Sequence, residues 1–181
     1  MTIAVAALFF ILSKITRGAI IVIFSELRDG IKTGIEMENP TSETFISSVV
    51  THELTMLFNQ HHSPNDRELM AENSAYHAMV GVSESTIPFH FFSITESMRG
   101  IIHGLASAGY DVSDIARHAM RGARRAVQEI EGGSLEAEKA LRQGLHQSLE
   151  DLGMNRLEDD PALDLPGLYM EQSSLMGADL Y

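Results

Sequence analysis

Cysteine is absent from this 181-residue chain. Disulfides, thiolate metal sites and a cysteine nucleophile are therefore excluded, although the missing residue does not fix a compartment. Tryptophan is also absent and aromatics make up only 7% of the chain. Basic residues are scarce too, with 13 Lys and Arg against 25 Asp and Glu and a formal charge of −12. That balance argues against a general nucleic-acid coat, though one local basic patch is compatible with it. The familiar signatures of chemistry are missing as well. There is no P-loop, no dinucleotide fingerprint and no Gly-x-Ser-x-Gly elbow.

What is present is helical patterning. The length suits one domain with a sizeable core. Ten methionines suggest adaptable packing. The clearest stretch is Ser93 to Leu152. Ile94, Met98, Ile101, Ile102, Leu105 and Ala108 form one helical face, and Gly109 supplies a terminator. Asp111 and Ser113 are both candidate caps for the next helix, with Asp114 in its first turn. Its apolar stripe is Val112, Ile115, Ala116, Ala119, Ala123, Ala126, Val127 and Ile130. The alanines Ala116, Ala119, Ala123 and Ala126 form a seam that lets a neighbouring helix come close. Gly132-Gly133 stops this helix and Ser134 caps another, whose face is Leu135, Ala137, Leu141, Leu145, Leu149 and Leu152, closed by Gly153. Short connections predict that these three helices pack as antiparallel neighbours.

Two further helices precede them. Asn39-Pro40 opens one running to about Asn59, with Phe45, Ile46, Val49, Val50, Leu54, Leu57 and Phe58 on its face. Ser63-Pro64-Asn65-Asp66 opens another, to about Gly81, on which Asn73 shares a face with Leu69, Tyr76 and Val80. Val82 to Pro88 reads as a loop, followed by Phe89, Phe91 and Phe92. The expected fold is all-α, a small bundle of about five amphipathic helices. No long repeat is evident.

The ends differ in character. Residues 1–36 read as an apolar N-terminal segment plus linker, 37–153 as the helical bundle and 154–181 as an acidic, irregular tail. The apolar run is broken by Lys14 and Arg17. It fits a membrane anchor through residues 1–24, a buried core element, or a start assigned upstream of Met37. Residues 25–40 are polar, carry Gly30, Gly34 and Pro40, and read as a linker. Pro161 and Pro166 interrupt the tail, which is rich in Asp and Glu and expected to be irregular.

The one distinctive charged feature is on the helix 112–131. Arg117, Arg121, Arg124 and Arg125 line one side, with His118 beside them. Either they pair with Glu129, Glu131, Glu136 and Glu138, or they contact an anion or nucleic acid. Leu105, Gly109 and Ile115 with the arginines fit the general plan of a helix-turn-helix. Among the histidines, no spacing supplies more than two metal ligands. His52-Glu53 has Met56 where a zinc-protease helix needs a second histidine, and Asp114 and His118 make only a pair. No catalytic residue, metal or cofactor is assigned, and no small-molecule substrate.

The expected function is that of a non-enzymatic helical protein acting through self-association or a protein partner, in the cytoplasm or associated with a membrane. The alternatives are nucleic-acid binding through the helix 112–131 and a membrane-anchored accessory protein using residues 1–24.

Overall fold

Local punctuation sets the helix ends. In the computed structural model, which describes residues 22–37, 45–60 and 67–154, all regular structure is helical. We label the helices α1 (22–37), α2 (Phe45–Gln60), α3 (Arg67–Ser83), α4 (Phe91–Ser107), α5 (Val112–Glu131) and α6 (Leu135–Asp151). Asp111 caps α5 by accepting from the Ser113 amide, and Ser134 caps α6 by accepting from Ala137. The helix stops are the expected ones: Gly109, Gly132 and Gly153 all have positive φ. Removing the Ser134 hydroxyl strips the α6 N-terminus of its acceptor. Ser134→Ala should therefore cost about 1 kcal/mol in urea unfolding.

The start of α4 was not anticipated. His90 caps it: its Nδ1 accepts from the Ser93 amide while Ser93 Oγ accepts from the His90 amide. The helix thus begins at Phe91, ahead of the expected Ser93.

The larger correction is α1. The segment 25–36 is helix, not linker. Phe24, Leu27, Ile31 and Ile35 recur at helical spacing and are all buried. Gly30 and Gly34, which read as breakers, face α2 instead. A Cβ on Gly30 would meet the Glu53 side chain, and one on Gly34 would meet Val49. A chain starting at Met37 would lack this part of the core. The other readings of 1–24, and the acidic tail beyond Met154, fall almost wholly outside the described residues. Among those described, no helix is long and apolar enough to cross a membrane.

Helices pair with the next but one along the chain. A Cβ on Gly100 of α4 would meet the Ser47 carbonyl at 2.6 Å, and one on Gly104 would meet Leu54 at 2.7 Å. Gly144 of α6 lies in the same way against Thr95 and Met98 of α4, and Thr95 Oγ1 donates to the Ala140 carbonyl. So α2, α4 and α6 form one row. In the other row Gly122 of α5 lies on the Glu72 backbone of α3, and Gly81 of α3 on the Arg28 backbone of α1.

The residue pairs climb together within each row (24 with 77 and 28 with 84, then 72 with 122 and 76 with 129, in one; 47 with 100 and 54 with 104 in the other), so its helices run parallel. The rows are antiparallel, as the pairing of Gly30 with Glu53 and Gly34 with Val49 requires. Within a row, successive helices begin about 45 residues apart, at Phe45, Phe91 and Leu135 and at Arg67 and Val112. The described residues thus form three stacked helical hairpins, the plan of a short helical solenoid. The sequence shows no long repeat, because what recurs is a small residue at each crossing and not a motif.

The core follows from this arrangement. α4 has neighbours on several sides, and Ile94, Met98, Ile101, Ile102 and Leu105 have no exposed surface. α5 leans chiefly on α3 and touches α4 and α6 less, so the three central helices are not a simple antiparallel trio. The ends of two predicted stripes are out in solvent. Ile130, Leu135 and Leu152 are each more than a third exposed, because they sit at helix termini beyond the last crossing.

Candidate functional site

The arginines of α5 spread their side chains across two neighbours. Arg121 and Arg125 both reach Glu72 of α3, at 3.4 and 3.3 Å. Arg125 also donates to Asn73 Oδ1 and lies 4.4 Å from the centre of the Tyr76 ring. Asn73 is thus a partner for Arg125, and the face it shares with Leu69, Tyr76 and Val80 is not the core face expected from the sequence: Leu69 is exposed, and α3 buries Met70, Ala71, Ala75, Ala78, Met79 and Val82 instead. Arg124 turns the other way and holds both carboxylate oxygens of Glu138 through Nε, at 3.0 and 2.9 Å. Arg142 joins the same carboxylate at 3.0 Å. His118 faces Glu68 at 3.4 Å, and not Asp114. Arg117 is exposed and likewise engaged.

Of the expected acidic partners, Glu138 is found in place, while Glu129 accepts instead from the Tyr76 hydroxyl at 2.6 Å. That bond to a carboxylate, with burial, raises the Tyr76 pKa. The stripe therefore stitches α5 to α3 on one side and to α6 on the other. The seam residues Ala116, Ala119, Ala123 and Ala126 are all buried on the same helix, whose principal neighbour is α3.

A second polar surface was not singled out from the sequence. It is an open groove of about 750 Å³ across the α2–α4–α6 row, lined by Thr51, His52, Thr55, Arg99, His103 and Asp151 with Ser47, Ser48 and Ser107. The row's parallel packing brings these residues together. Close approach at Gly100 and Gly104 puts the Thr51 turn beside α4, where Thr51 Oγ1 donates to the Gly100 carbonyl.

Arg99 is the fixed point of the groove. Its Nη1 donates to Glu96 Oε1 at 3.0 Å and its Nη2 to Asp151 Oδ2 at 2.8 Å. His103 Nε2 lies 3.3 Å from the same Asp151 oxygen. The Arg99 hydrogen bond, reinforced by His103, holds the Asp151 carboxyl below the usual range, and Asp151 in turn raises Arg99. Glu96 is buried, and its Oε2 has no protein partner among the described residues. The signal available in sequence was slight: Ser48 with His52, Thr51 with Thr55 and Arg99 with His103 each sit four apart, on one helical face.

Among the described residues no group of three or more metal-ligating side chains converges. The groove presents hydroxyls, imidazoles and an anchored guanidinium, all suited to hydrogen bonding. No family model matches the chain, and neither a curated protein nor a solved structure matches it.

Proposed function

We propose that this protein is a non-catalytic helical module that binds a protein, either a partner or a further copy of itself, along the α2–α4–α6 row. The observation that carries this reading is the groove to which all three helices of one row contribute. Stacked helical hairpins use such continuous faces to hold extended chains. Arg99 is anchored from below by buried Glu96, so its guanidinium is held in place before any partner arrives. The hydroxyls and imidazoles around it offer hydrogen bonds along the row.

Nucleic-acid binding through α5 is the weaker reading. Phosphates would have to displace Glu72 from Arg121 and Arg125, and Glu138 from Arg124. Each exchange strands a carboxylate that is mostly shielded from water.

A photo-crosslinking residue placed singly at Ser48, Ser107 or Gln143 in the native cell tests the proposal. The first two lie in the groove, and Gln143 is exposed elsewhere on α6. Crosslinks to a polypeptide, foreign or self, are expected from Ser48 and Ser107 only. Silence from the groove, or equal yield at Gln143, overturns it.

A further inference from the structure

His77 is an unusual place for a titratable ring. It stacks on Phe24 of α1, with centroids 5.2 Å apart and planes within 3°, and Tyr76 meets it edge-on at 5.0 Å. Its Nδ1 is buried and has no hydrogen-bond partner among the described residues. The charges facing it are Arg28 from α1 and Arg125 from α5. The nearby acids are already engaged: Glu84 with Arg28, Glu129 with Tyr76 and Glu72 with Arg125. A proton on this ring would add a third positive charge near two guanidiniums, with no acceptor for Nδ1–H among the described residues. Stacking of an imidazolium on Phe24 would recover part of that cost. The other histidines in ion pairs stand differently. His103, His118 and His146 each face a carboxylate.

We propose that His77 is a proton-operated latch that releases α1 from the α3–α5 row on mild acidification. Among the described residues α1 is the end helix of its row, held to α3 by the Phe24–His77 stack, the Arg28–Glu84 pair and the close approach at Gly81, and to α2 at Gly30 and Gly34. Its release uncovers Phe24 and Ile31, which are buried against His77 and Gly81 when the latch is closed. Burial, with Arg28 and Arg125 adding to it, lowers the His77 pKa from 6.5. The sign follows: the open state binds the proton near 6.5 and the closed state does not, so opening becomes easier as pH falls below 6.5. The closed form is unaffected above about pH 7. The opening constant grows by up to about tenfold for each pH unit below 6.5, until the closed-state pKa is reached. Carboxylates ordinarily titrate lower, near 4, which leaves a window in which histidine acts alone.

Hydrogen exchange on the full chain, corrected for the intrinsic pH dependence, reads this directly. Peptides from 22–37 should lose protection by up to about tenfold between pH 7 and 5.5, while those from α6 hold theirs. His77→Phe keeps the stack without the proton and should flatten the response. His77→Gln serves the same purpose should the first variant not fold. A ring titration of His77 by NMR should fall below 6.5. Equal loss of protection in α1 and α6, an undiminished response in the variants, or a His77 midpoint at or above 6.5 would each overturn the latch.

Discussion

Gly122→Ala should be the most damaging glycine-to-alanine change among the described residues. In an isolated helix the same substitution stabilises by about 1 kcal/mol, because alanine is the better helix former. Here the added Cβ would overlap the Glu72 carbonyl of α3, and the atoms behind it are backbone too, with the carbonyl carbon at 2.8 Å and Cα at 3.1 Å. Backbone cannot rotate aside as a side chain can. The two helices must separate, which loosens the buried alanines of α5 and lengthens the reach of Arg121 and Arg125 to Glu72. We expect a net loss of about 2–3 kcal/mol, or about 5–10 °C in Tm for a chain of this length. Gln143→Ala, on the exposed side of α6, is the control and should change little. Urea and thermal unfolding of both variants provide the measurement. A Gly122→Ala protein as stable as the parent would mean that α3 and α5 do not cross where the structure places them.

The same glycine shows why the sequence was only partly readable. Features that act within one helix were legible: the caps at Asp111 and Ser134, the stops at Gly109, Gly132 and Gly153, and the apolar faces of α2, α4, α5 and α6. Contacts between helices were not, because a glycine at a crossing and a glycine at a break look alike. Gly30 and Gly34 are therefore linker-like in sequence and contact points in the fold, and α1 was missed with them. Pairing with the next helix but one was hidden for the same reason, since much of the matching surface is backbone, at Arg28, Ser47, Glu72 and Thr95, and leaves no side-chain pattern. The arginine stripe was visible, but its partners Glu68 and Glu72 lie about 50 residues upstream, and only the fold brings them near. The groove had no strong marker at all. Arg99, His103 and Asp151 become neighbours only because α4 and α6 run parallel.

Removing the Glu138 carboxylate should be a costly change for an ion pair. Two guanidiniums converge on it, Arg124 from α5 and Arg142 one turn along α6. Its side chain is 17% exposed, and the arginines are 31% and 27% exposed. An exposed pair would contribute less than about 1 kcal/mol. This one is mostly shielded, and Glu138→Ala leaves two like charges facing each other without their shared acceptor. We expect a loss of about 2 kcal/mol, intermediate between exposed and fully buried pairs. Glu138→Gln keeps the shape and one acceptor oxygen and should lose about half as much. The same variants decide what the arginine stripe is for. If its charge serves the fold, the parent protein shows no salt-dependent binding to duplex DNA, and both substitutions are felt in unfolding alone. If the four arginines instead meet phosphates, the parent binds with a log–log salt slope near −3 to −4. Glu138→Ala then strengthens binding, because the competing carboxylate has gone. A slope of that size would overturn the structural reading of the stripe and restore α5 as an interface.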